Sequence, residues 1–88
     1  LTLQSGSLLE GAINPAGTAK SVSVILDSSS MWIVTADSRV SSLSDDDTSL
    51  ANIRSNGHSI YYDNTQEANA WLGGRTIRLQ GGGHLAPM

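Results

Sequence analysis

Short apolar segments separated by Ser, Gly, Asn and Asp recur along this chain, and their recurrence constrains the fold more than any other feature. They occupy residues 1–3, 8–13, 22–26, 32–35, 40–43, 50–53, 59–62 and 76–79. Equivalent apolar positions return about every 18 to 23 residues, the repeat length of a solenoid in which each turn stacks on the one before. Period-2 alternation within 21–26 and 31–35 puts Val22, Val24, Leu26, Trp32 and Val34 on one face, which turns to the core. The polar run 27–30 is too long for a two-residue hairpin turn and suits a corner between two faces. Residues 55–58, Ser-Asn-Gly-His, admit two readings. Asn-Gly also makes the tightest hairpins, so an antiparallel excursion between Ile53 and Ser59 has the same signature as a corner.

Toward the C-terminus the pattern changes. Residues 64–73 read as a short helix that caps the stack, with Asn64 or Thr65 as N-cap, Glu67 in the first turn and Gly73 as the stop. Trp71 and Leu72 then plug one side. Residues 76–79 make a last strand, and 81–88 form a Gly-rich tail in which Pro87 ends strand pairing. Together these predict one all-β domain over residues 1–88, a parallel β-helix of about four coils with one short helix. The chain opens in strand-like alternation at Leu1 with no initiator Met, which reads as a segment of something longer, the remainder lying on the N-terminal side.

A chain of 88 residues buries only a thin core, so a solenoid of this size needs its ends covered. The net charge of −3, with Lys20, Arg39, Arg54, Arg75 and Arg78 the only basic side chains, weighs against nucleic acid as a partner. There is no cysteine, hence neither a disulfide framework nor thiol chemistry, and the wealth of Ser, Thr, Asn and Gly fits an extracellular bacterial repeat protein. No stretch approaches the ~18 apolar residues of a membrane helix, and no signal peptide opens the sequence.

The string from Ser30 to Leu43, Ser-Met-Trp-Ile-Val-Thr-Ala-Asp-Ser-Arg-Val-Ser-Ser-Leu, resembles the S-x-W-x-V-T-x-D-S-x-V-x-x-L signature of secreted bacterial right-handed β-helix proteins. Residues 57–63, the Trp71-Leu72-Gly73-Gly74 string and the 81–83 glycines resemble the closing segment of the same family. The family includes passenger domains of autotransporter-like adhesins and carbohydrate-binding surface proteins of Gram-positive gut and rumen bacteria. The resemblance covers residues 7–87. It implies a right-handed parallel β-helix, a secreted or cell-surface location, and adhesion or carbohydrate binding without catalysis. The matching residues are core and corner positions, so they speak to fold more than to ligand.

Three groups of residues are candidates for function. Leu8, Ile25, Met31 and Ile33 are apolar yet out of phase with their inward neighbours, so they face outward. Burial against another copy, or against a missing segment of the parent protein, would contribute ~1.5 to 3 kcal/mol for each. The ordinary alternative is scattered surface apolars. Asp27, Asp45 and Asp63 are evenly spaced along the chain, each just past a strand. Residues one coil apart stack ~4.8 Å from each other, so the three could form an oxygen ladder for calcium, the one cofactor considered; as single residues they are common turn formers. Tyr61 points outward by alternation and offers a platform for sugar stacking, while Arg75 and Arg78 offer contacts to acidic groups.

Catalytic signals are sparse. His58 and His84 are flanked by glycine without a partner at ligand spacing and read as loop histidines. The serines include no G-x-S-x-G elbow. The sequence therefore points to a non-enzymatic adhesion or carbohydrate-binding and assembly module, with a polysaccharide or another copy as partner. A polysaccharide-active hydrolase or lyase and a structural stalk or filament unit are the competing readings. The first requires two placed carboxylates or basic side chains recruited from Arg39, Arg54, Arg75 and Arg78.

Overall fold

Alternation of side chains closes this chain into turns. In strand β3 (Ser23–Leu26), Val24 and Leu26 are buried while Ser23 and Ile25 face out, and in β4 (Met31–Ile33) Trp32 is buried between outward Met31 and Ile33. A computed structural model describes residues 2–13, 22–47 and 50–87. Its other strands are β1 (Thr2–Leu3), β2 (Leu8–Glu10), β5 (Ser38–Val40), β6 (Ser42–Asp45), β7 (Ile53–Arg54), β8 (Ile60–Tyr62), β9 (Ile77–Arg78) and β10 (His84–Pro87). They assemble into three sheets with orders β1-β3-β6, β2-β4-β7 and β5-β8-β10-β9. All pairings are parallel except β9 with β10. The result is a parallel β-solenoid of about three turns.

Turn length varies around the stack. The turn from Thr2 to its register partner Ile25 is longer than the next, from Ile25 to Ser44, and the turn from Ile60 to Leu85 is longer than either. Corners absorb the difference, because inward residues must stay in register while loops need not. Inside lie Val24, Leu26, Trp32, Val34, Val40, Leu43, Ile53, Ile60, Tyr62, Leu72 and Leu85, which form one contiguous core. Trp32 is 0 % exposed, and its indole Nε1 donates to the Gly11 carbonyl at 2.9 Å, so its one polar atom is satisfied.

Several sequence expectations are corrected. The tail does not trail off: His84, Leu85, Ala86 and Pro87 form β10, which pairs with β8 up to Pro87↔Tyr62. Pro87 is tolerated because it is the strand's last residue, where a missing N–H costs least. The strand expected over 76–79 is β9, and it runs antiparallel to β10 through a glycine turn. Close approach explains those glycines. A Cβ on Gly83 would collide with the His58 carbonyl oxygen, and the Gly83 N–H donates to Ser55 Oγ at 2.8 Å. Asn56 and Gly57, both at positive φ, make a corner and not a hairpin, and Asn56 Nδ2 bonds the Val34 carbonyl of the preceding turn at 3.0 Å. The helix is a 3-10 segment, Glu67–Leu72. Gln66 holds its N-cap position without a side-chain bond, whereas Thr65 turns back to Asp63 Oδ1 through N (2.9 Å) and Oγ1 (2.6 Å). Gly73 ends it in the left-handed region, as expected.

The two ends of the stack differ. On the C-terminal side the outer edge of β6 is covered by side chains of the 3-10 helix. Asn69 Oδ1 accepts from Leu43 N at 2.9 Å, Asn69 Nδ2 donates to the Ser41 and Asp63 carbonyls at 2.8 and 2.7 Å, and Trp71 Nε1 donates to the Leu43 carbonyl at 3.0 Å. These groups take the place of another strand on the outer edge of β6. β9 likewise covers β10. On the N-terminal side, among the described residues, β1 and β2 each pair on one edge only.

Candidate binding face

The outward face of the four-stranded sheet carries an aromatic ring, two guanidinium groups and an imidazole, from Tyr61, Arg39, Arg78 and His84. Its register stacks Arg39, Tyr61 and Ala86 in one ladder, since Arg39 pairs with Tyr61 and Tyr61 with Ala86. Each follows a buried residue, Ser38, Ile60 or Leu85, so each points out. The Arg39 guanidinium carbon lies 5.8 Å from the centre of the Tyr61 ring, a cation–π pairing that orders both side chains. Two positions before Ala86, His84 is exposed and pairs with exposed Arg78 of β9. No Asp or Glu occurs in any of the four strands. With strands ~4.8 Å apart, cationic groups extend over about 14 Å across the sheet.

Of the ligand residues expected from sequence, Tyr61 and Arg78 therefore share one face, and Arg75 does not join them. Arg75 closes the end of the 3-10 helix, with Nε donating to the Leu72 carbonyl at 3.0 Å and Nη2 to the Trp71 carbonyl at 3.4 Å. Its own carbonyl accepts from the Tyr62 hydroxyl at 2.7 Å. Arg39 belongs to the face and was only a generic basic residue in the sequence. One signal could have found it: Arg39 precedes Tyr61 by one full turn of the solenoid. His84 is a strand residue, not a loop one, while His58 stays in its loop with Nδ1 3.8 Å from Asp37 Oδ1.

The outward apolar residues divide between two sheets. Leu8, 61 % exposed, pairs with half-buried Met31, and Ile33 follows on the same side of β4. Ile25, 47 % exposed, lies between Thr2 and Ser44 on the other three-stranded sheet. They do not form one patch.

The three aspartates are not brought into one ladder either. Asp45 is in register with Leu26, one position before Asp27, and Asp63 follows β8 in the four-stranded sheet. Asp27 works instead as a corner brace. Oδ2 accepts from Ser5 N at 2.7 Å, and Oδ1 accepts from Ser29 N, Ser29 Oγ and Ser30 Oγ at 3.0, 2.9 and 2.8 Å. Those bonds, led by the Ser5 N–H, hold its carboxyl down at about 2. Asp63 is held low by the Thr65 hydroxyl and N–H. Asp45, 5 % exposed, is pushed up by burial: Oδ1 accepts from Asn52 Nδ2 and Asp47 N, both at 3.0 Å, while Oδ2 is buried without a partner. Among the described residues no three His, Asp or Glu side chains converge on a position that would hold a metal ion.

Compared with known proteins, the chain matches no family model, no curated protein and no solved structure.

Proposed function

We propose that this protein is a non-enzymatic carbohydrate-binding and adhesion module of a secreted or surface-anchored bacterial protein, and that it binds an acidic polysaccharide along the outward face of the four-stranded sheet. The observation that carries the reading is the Arg39–Tyr61–Ala86 ladder flanked by His84 and Arg78. An extended sugar chain lying across parallel strands needs a small residue to pass over, an aromatic ring to contact, and guanidinium forks for its carboxylates or sulfates. Ala86, Tyr61 and the two arginines supply these in turn. Arg39, already stacked on Tyr61, loses little further freedom when it binds an anion.

A glycan array tests the proposal. Wild-type protein is expected to retain uronic-acid or sulfated chains and to leave their neutral counterparts. Arg78→Ala and Tyr61→Ala should each weaken retention, and Arg75→Ala should not. Loss of binding in Arg75→Ala alone, or retention unaffected in the Arg78→Ala and Tyr61→Ala chains, would overturn it.

A further inference from the structure

We infer that the outward face of the sheet β2-β4-β7 is a self-complementary surface that takes a second copy of this chain, separately from the sugar-binding reading of the other face. The register sets Glu10, Ile33, Arg54 and Gln80 in one outward ladder. Beside it runs the apolar pair Leu8 and Met31. Glu10 and Arg54 are exposed, and among the described residues neither takes part in an ion pair. The face thus carries an acid on its first strand, an apolar centre on its second and a base on its third.

That order inverts onto itself. Consider a two-fold axis parallel to β4 and midway between two such faces packed ~10 Å apart. The rotation reverses the sequence of strands, so Glu10 of one copy stands opposite Arg54 of the second, and Arg54 opposite Glu10 of the second. Ile33 and Met31 meet their own counterparts at the centre, and Leu8 is removed from water. One interface then holds two equivalent charge pairs around an apolar middle, the arrangement an isologous dimer requires. A head-to-tail filament lacks this support, because the C-terminal edge of β6 is already satisfied by Asn69 and Trp71.

Sedimentation equilibrium of the whole chain across a concentration series, with circular dichroism to verify folding, tests the assignment. Wild type should associate as a dimer. Glu10→Arg and Arg54→Glu each replace both attractive pairs by like-charge pairs, and each should raise the dimer dissociation constant by about tenfold or more. The double reversal Glu10→Arg/Arg54→Glu should restore the wild-type constant. An equimolar mixture of the two single variants should dimerise as a heterodimer with about the wild-type constant, more tightly than either variant alone. A wild type monomeric at every concentration, or association that the single reversals leave unchanged, would overturn the inference. So would a double variant that associates no better than the singles.

Discussion

Removing Asn69 should expose how much of this small solenoid depends on its cap. Asn69 is 2 % exposed, and its amide makes three hydrogen bonds, one from Leu43 N and two to the carbonyls of Ser41 and Asp63. Each buried bond of this kind contributes about 1 kcal/mol net, and the Leu43 N–H left behind has no route to water. Asn69→Ala should therefore cost about 3 kcal/mol. A domain of 88 residues has on the order of 4 to 13 kcal/mol in total, so the loss is a large fraction of it. At roughly 4 to 8 °C per kcal/mol, the thermal midpoint should fall by roughly 12 to 24 °C. Asn69→Leu keeps most of the volume but none of the bonds and should lose nearly as much, which separates hydrogen bonding from packing. Asn64→Ala, at an exposed position before the helix, is the control and should melt close to wild type. The assay is thermal and urea unfolding followed by circular dichroism. If Asn69→Ala melts within about 3 °C of wild type, the helix is not what satisfies the β6 edge and the role assigned to the cap is wrong.

Three further outcomes concern the core and the corners. Trp32→Ala removes the largest fully buried side chain and leaves a cavity in the middle turn, at a cost of about 3 to 5 kcal/mol by urea unfolding; a small change would mean that Trp32 is not inside. The carboxyl of Asp27 is held at about 2 against an ordinary value of 3.8, so its contribution to stability is complete above pH 4 and is lost as pH falls toward 2. Asp45 has the opposite sign: burial raises it, so the folded state gains stability as this group takes up a proton. In pH-dependent melts, Asp27→Ala should flatten the acid limb, and Asp45→Asn should raise the neutral-pH midpoint by a few degrees; unchanged profiles in both would contradict the assignments.

The inward phase was legible because short strands with a strict period of two leave one solution. Val24, Leu26, Trp32 and Val34 are all buried, and Leu8 and Ile25 are exposed. The aspartate ladder failed for the complementary reason. The even step from Asp27 to Asp45 to Asp63 is shorter than the turns of the solenoid, whether from Ile25 to Ser44 or from Ser38 to Ile60, so Asp45 arrives at the rung of Leu26 and Asp63 on another sheet. A short helix within 64–73 was legible from its capping and stop residues, but its bonding was not, since Asn69 and Trp71 reach the Leu43 backbone from more than a full turn away in sequence and leave no local pattern. The 81–83 glycines read as the start of a tail in sequence, yet they form the turn that lets β10 become the next rung. The candidate face was half legible: alternation pointed Tyr61 outward, but only the register brings Arg39, His84 and Arg78 onto the same face.

Sugar recognition by the four-stranded face is tested most directly by a nuclear magnetic resonance titration of the 15N-labelled chain with an acidic oligosaccharide, with its neutral analogue as reference. Amide shifts should move at Arg39, Tyr61, His84, Ala86 and Arg78 with the acidic ligand alone, because the register gathers these residues on one face. Shifts confined to Leu8, Ile25 or the 3-10 helix, or no shifts with any acidic oligosaccharide at millimolar concentration, would contradict it.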